Sequence, residues 1–114
     1  MRNDLAYLED ILHAAWDARD CVAGLEFETW VEVKELRRAV VNCLHEIGEA
    51  SKRLSKEFKQ QHPEIPWNEL TSHRNELAHE YFRIDYGQVW RVAHDVIPKL
   101  IDLVWPLLPP SLDL

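Results

Sequence analysis

Apolar positions recur every three and four residues along almost the whole chain, and no segment alternates in the two-residue rhythm of a strand. Leu5, Leu8, Ile11, Leu12, Ala15 and Trp16 predict a first helix, with Asn3 as its cap and Gly24 as its stop. Thr29 is placed to cap a second, longer helix, with Glu32 three residues on as its capping-box partner. The stripe of that helix is Val33, Leu36, Val40, Leu44, Ile47, Ser51, Leu54 and Phe58, a seven-residue repeat of the kind that forms a bundle core or a pairing seam. Pro63 and Pro66 break it. A third helix is predicted from Pro66-Trp67 through Arg74 to about Glu80, followed by a short connection over Tyr81–Ile84. Asp85 caps a fourth helix carrying Val89, Trp90, Val92, Ala93, Val96, Leu100, Ile101, Val104 and Trp105, which Pro98 is expected to kink or divide and Pro106, Pro109 and Pro110 to end. Short connections between helices of this length predict an all-α, antiparallel bundle of four to five helices, formed by residues 1–114 as one domain. Trp16, Trp90 and Trp105 fall on the stripes and read as core. Trp30 and Trp67 open helices and are the two free to serve an interface.

Composition narrows the setting. With 46% hydrophobic residues, 29% charged residues and three glycines in 114, the chain has the make-up of a folded globular protein. No apolar run approaches the roughly 20 residues of a bilayer span, and Met1-Arg2-Asn3-Asp4-Leu5 has no signal-peptide core. Cys21 and Cys43 carry no ligand spacing and read as two thiols in a reducing cytoplasm. The net charge of −7 argues against general nucleic-acid binding over the whole surface. It is unevenly spread: residues 1–35 hold nine acids and three bases, and residues 36–62 hold three acids and six bases. That middle block (Arg37, Arg38, Lys52, Arg53, Lys56 and Lys59) is either a solvated helix face or a local phosphate-binding surface.

The densest chemistry lies in Arg74-Asn75-Glu76-Leu77-Ala78-His79-Glu80-Tyr81. Its residue types suit proton exchange beside an anion, since they bring together an imidazole, a permanent cation and a neutral amide. His79, with an ordinary imidazole pKa of about 6.5, can exchange protons near neutrality. Arg74 offers a planar, permanently charged fork for phosphate oxygens, and Asn75 a neutral hydrogen-bonding group. On a regular helix Arg74 and His79, five residues apart, point about 140° away from each other. Either the helix distorts, or Arg74 of one subunit meets His79 of another. Glu76-x-x-His79 has half the pattern of a di-iron bundle, and the nearest second pair, Asp10-x-x-His13, reaches less far. No metal and no cofactor are expected.

From Val40 onward the chain resembles the HepT-like group of HEPN domains, toxins of bacterial and archaeal toxin–antitoxin pairs. The resemblance is carried by Ala39-Val40, Asn42, Leu44, Ile47-Gly48-Glu49-Ala50 and Arg53-Leu54-Ser55, then Ile65-Pro66-Trp67, Arg74–Tyr81, Ile84-Asp85 and Val89-Trp90. Its diagnostic element is arginine, four residues, histidine, one residue, tyrosine. The resemblance implies a metal-independent ribonuclease acting as a homodimer, with Arg74 and His79, supported by Asn75, in the active site. It also implies a nucleotidyltransferase antitoxin that transfers AMP to Tyr81. The RNA is expected to meet a small positive cleft to which Arg53, Lys56 and Arg83 contribute. The alternative reading is a non-catalytic binding module that docks a nucleotidyltransferase and presents its substrate.

Overall fold

The structure, a computed structural model, describes residues 3–71 and 84–110, and every regular element among them is helical. Helix α1 spans Asp4–Val22 and is capped as its sequence predicts, the Asn3 side chain accepting a 3.0 Å hydrogen bond from the Ala6 amide. Leu8, Ile11, Leu12, Ala15, Ala18 and Val22 bury one face of it. Beyond its end Gly24 takes φ +72°, a conformation that costs any residue with a Cβ, and turns the chain.

Thr29 does not cap the long helix. It lies inside a one-turn helix, α2, Phe27–Trp30, where the amides of Thr29 and Trp30 both donate to the Glu26 carbonyl. The long helix α3, Lys34–Arg53, starts after Val33 with no side-chain cap. The extra turn lets Trp30 enter the core, where it is fully buried. Burying an indole outweighs the roughly 1 kcal/mol that a threonine cap supplies. The Arg37 guanidinium then donates to the Val31 carbonyl and closes the corner.

The seven-residue stripe also breaks before Phe58. Ser55 takes an extended conformation and caps a separate short helix, α4, Lys56–Gln61, its hydroxyl accepting from the Phe58 amide at 3.1 Å. The same hydroxyl donates to one Asp4 carboxylate oxygen at 2.7 Å, and the Ser55 amide donates to the other at 2.9 Å. Asp4 opens α1 and Ser55 follows the end of α3, so this contact fixes the two long helices antiparallel. Small buried residues on both, Ala14, Ala15 and Ala18 on α1 and Gly48, Ala50 and Ser51 on α3, let the backbones approach closely.

Residues 67–71 begin α5. Helix α6, Tyr86–Arg91, is capped by Asp85, whose carboxylate accepts from the Gln88 amide at 3.1 Å. A π turn, Val92–Val96, joins it to α7, Ile97–Val104, which ends in the 3₁₀ turn Trp105–Leu107. Pro98 sits in the first turn of α7 and has no amide hydrogen for the carbonyl four residues back. The helix widens just upstream instead, the Ile97 amide reaching the Val92 carbonyl five residues behind it. The π turn and α7 also pack on α1, completing an all-α bundle. Among the described residues, no helix is long and apolar enough to cross a membrane.

The tryptophans are distributed the other way round from the helical stripes. Trp30 and Trp67, at helix starts, are 0% and 8% exposed. Trp16 and Trp90 are half-buried, and Trp105 is 53% exposed. A stripe tells which side of a helix faces its neighbours, and Trp105 stands in the 3₁₀ turn after α7, where the α-helical period no longer holds. Replacing Trp30 by alanine is therefore expected to cost about 3–5 kcal/mol in urea unfolding, against about 1 kcal/mol or less for Trp105→Ala. Equal losses would contradict this ranking.

Cys21 and Cys43 are free thiols, half-buried and buried. Burial pushes Cys43 up to about 12, with Asp17, Cys21 and Glu46 adding to the effect. Burial, then Asp17 and Asp20, also raises Cys21. Both therefore stay protonated at neutral pH, and a thiol-specific disulfide reagent at pH 7.5 is expected to label the folded protein at least tenfold more slowly than the urea-unfolded chain. Between about pH 9 and 12 the folded state keeps a Cys43 proton that the unfolded chain has lost. Stability from this thiol is complete below pH 9 and falls above it. Labelling as fast as that of the unfolded chain would show the thiols to be accessible.

Candidate functional site

The stretch Arg74–Tyr81, and Arg83 with it, lies outside the described residues. Its two flanks are built in detail. On the entry side, α4 leads into a corner held by aromatic packing: the Phe58 ring lies 4.5 Å from the His62 ring and 6.2 Å from that of Trp67. The Trp67 indole N–H donates to the His62 carbonyl at 2.9 Å. Pro66 stands immediately before the helical residues, its carbonyl accepting from the Leu70 amide at 3.0 Å, so its missing amide hydrogen costs nothing there. Ile65, Trp67 and Leu70 are all buried, and they tie the start of α5 to the core.

The exit side is pinned as firmly. Ile84 packs against the core, and Asp85 turns the chain into α6 through its cap. Tyr86 then lies edge-on to buried Trp30 at 6.5 Å, with the Arg37 guanidinium 5.2 Å over its ring. The guanidinium that closes the α2–α3 corner thus also covers the first residue of α6. A cation held over an aromatic face in this way contributes roughly 0.5–1 kcal/mol. The motif is therefore strung between two anchored points, Leu70 and Ile84.

The basic block of residues 37–59 does not gather into one surface. Arg37 and Arg53 sit sixteen residues apart on α3, about 24 Å along its axis. Arg37 and Lys59 spend their charges on main-chain carbonyls, those of Val31 and Ser51. Arg53 pairs with Glu49 at 3.5 Å, one turn back on the same helix. Lys52 and Lys56 are exposed at the α3–α4 corner, the end of the bundle that precedes α5.

Arg53 also lines a groove of about 370 Å³ between α1 and α3 that sequence reasoning passed over. Tyr7, Asp10, His13, Ala14 and Asp17 form its α1 wall; His45, Glu46, Glu49, Ala50 and Arg53 form the wall from α3. The signal was present in the spacing. Asp10 and Asp17 are seven apart, as are Glu46 and Arg53, so each set shares a helix face, but nothing in the sequence says that the two faces adjoin. Asp10 and His13, weighed above only as half of a metal pair, are on this wall. No group of three or more histidine, cysteine, aspartate or glutamate side chains among the described residues is disposed to hold a metal ion.

Comparison with known proteins identifies the family. The model of the family described as "Ribonuclease HepT-like" matches residues 11–106, reaching well upstream of the blocks on which the resemblance above rests. A Caldanaerobacter subterraneus subsp. tengcongensis protein named "Putative RNase TTE0752" is 40% identical over 100 residues, covering 88% of this chain and 89% of that one. "Probable ribonuclease HepT" of Thermococcus cleftensis is 38% identical over 99 residues, 87% of this chain and 90% of its own length. "Putative RNase MJ1380" of Methanocaldococcus jannaschii is 35% identical over 99 residues, 87% and 91% respectively. No solved structure matches the chain. An all-α bundle, an Arg-x4-His-x-Tyr stretch between two anchored flanks and a family match over most of the length converge: this chain belongs to the HepT-like ribonuclease family.

Proposed function

We propose that the chain is a metal-independent ribonuclease, the toxin of a toxin–antitoxin pair, with its active site at Arg74–Tyr81. The observation that carries this reading is the joint occurrence of the ribonuclease family match and the Arg74-x4-His79-x-Tyr81 motif. In this reading His79 takes the proton from a ribose 2′-hydroxyl as that oxygen attacks the adjacent phosphorus. The imidazolium then gives that proton to the departing 5′-oxygen, leaving a cyclic phosphate and a free 5′-hydroxyl. Arg74 neutralises the crowded phosphorane, where a bidentate guanidinium is worth more than in the ground state. Asn75 orients the imidazole or holds a phosphate oxygen. Because Arg74 and His79 are five residues apart, two copies of the chain complete each site, Arg74 from one facing His79 of the other. Lys56, exposed at the corner before α5, and Arg83 would draw RNA toward the motif. Arg53 joins them only by leaving Glu49.

Tyr81 is the off-switch. A cognate nucleotidyltransferase antitoxin would place AMP on its phenolic oxygen, adding bulk and a phosphate two residues from His79 and repelling the RNA backbone.

Purified protein freed of modification should cleave single-stranded RNA in the presence of EDTA. His79→Ala should lower that cleavage by roughly 10²–10⁴-fold with the helical circular dichroism unchanged. Tyr81→Phe should retain cleavage yet gain no AMP mass on coexpression with the antitoxin. EDTA-sensitive cleavage, or activity that survives His79→Ala, would refute the active-site assignment. AMP transfer to Tyr81→Phe would refute the switch.

A further inference from the structure

Trp90 of α6 and His94 of the π turn stack face to face, with 15° between their ring planes and 4.5 Å between centroids. In a regular α-helix a residue four positions on stands about 40° past its predecessor. The wider π turn reduces that offset and sets the imidazole over the indole. The stack is held from both ends. Phe27 of α2 backs the indole edge-on at 6.1 Å, and the His94 Nδ1 lies 2.7 Å from the Asp95 Oδ1. With one face against Trp90, an imidazole whose side chain is still 51% exposed presents its other face to solvent. Arg91, also exposed, stands one turn before His94, and its Nε donates to the Gln88 side-chain carbonyl at 3.2 Å. That bond steadies the guanidinium by one of its three nitrogens.

A fixed ring with an open face, beside a guanidinium, suits an unpaired nucleotide. The base stacks on the ring and the cation meets the adjoining phosphate. Every base has a π face, so stacking does not depend on the overall field of the protein, and it can operate on a chain of net charge −7. A ring already held on both sides also loses little freedom when a base settles on it. A side chain that only shielded the indole would serve as well if it were aliphatic, and that difference can be tested. The stack stands about 12 Å along the helix from Tyr86, the first helical residue described after the motif.

We propose that His94, backed by Trp90 and flanked by Arg91, is a stacking platform for one unpaired base of an RNA strand, separate from the Arg74–Tyr81 motif. The proposal rests on the ribonuclease reading for its ligand, and on none of residues 74–81 for its geometry.

The test uses the full-length purified protein and a fluorescein-labelled octanucleotide with 2′-O-methyl riboses, which lack the attacking hydroxyl, so that binding is followed by anisotropy without cleavage. Saturable binding is expected. His94→Leu keeps the indole covered but removes the open ring face, and should weaken binding by at least about fivefold. His94→Phe restores a ring face and should hold the affinity within about twofold of wild type. Arg91→Gln should weaken binding and lower its salt dependence by about one phosphate contact. An octamer of the same backbone with abasic positions should bind the wild type more weakly and lose nothing further on His94→Leu. Circular dichroism confirms that each variant is folded. No saturable binding, wild-type affinity in His94→Leu, or equal losses for the base-bearing and abasic strands would each overturn the proposal. Binding of this kind by a protein that cuts no unmodified RNA would uphold the platform and refute the ribonuclease reading. Cleavage as expected, with an affinity indifferent to His94, would do the reverse.

Discussion

The pairing of α1 with α3 is the interaction on which the rest of the molecule depends. Its apolar part is a seam of leucine, isoleucine, valine and alanine, in which each large aliphatic side chain contributes about 1.5–3 kcal/mol on burial. Its polar part is one carboxylate. Asp4 holds both the amide and the hydroxyl of Ser55, so the first turn of α1 is tied to the point where α3 ends and α4 begins. That contact fixes the direction of the pairing and the start of α4. Through Phe58 and Trp67 it also reaches the corner from which α5 departs. The opposite flank answers to the same pair, because Arg37 at the head of α3 covers Tyr86, which lies edge-on to buried Trp30. Both flanks of the stretch that carries the Arg-x4-His-x-Tyr motif are therefore referenced to one helix pair.

The seam also divides the surface by charge. Acids crowd the outer face of α1 and the groove it makes with α3, while lysines stand at the α3–α4 corner. Among the described residues the charge is thus divided between two regions, so a net charge of −7 does not describe every part of the surface. Affinity under these conditions comes from a few placed cations rather than from the overall field.

Local chemistry is what the sequence made legible. Asn3, Gly24, Pro66 and Asp85 act where their residue types say they should, because a cap or a stop is decided by atoms within one turn. Thr29 was misread as a cap, and the long helix was carried past Ser55 to Phe58, for the same physical reason in reverse. Each had a local preference, but a distant partner decided the outcome: the core that takes in Trp30 in one case, the Asp4 carboxylate in the other. The tryptophans show the limit of periodicity, which gives the face of a helix only as far as the helical period holds. The basic block looked continuous in sequence, yet it is spread over about 24 Å of helix and partly used on carbonyls. Of the candidate site, the family and the motif were readable from residue order alone, whereas the acidic groove required knowing that two helix faces adjoin.

In the proposed mechanism Arg74 and His79 serve one ribonuclease site from two copies of the chain. Coexpressing Arg74→Ala with His79→Ala, and purifying the mixed assembly through two different affinity tags, tests it most directly. If the site is shared across subunits, each mixed dimer carries one site with both residues intact. Cleavage should then return to about half the wild-type level, although either variant alone is inactive. A mixed dimer as inactive as its two parents would show that Arg74 and His79 act within a single chain, and would rule out the shared site.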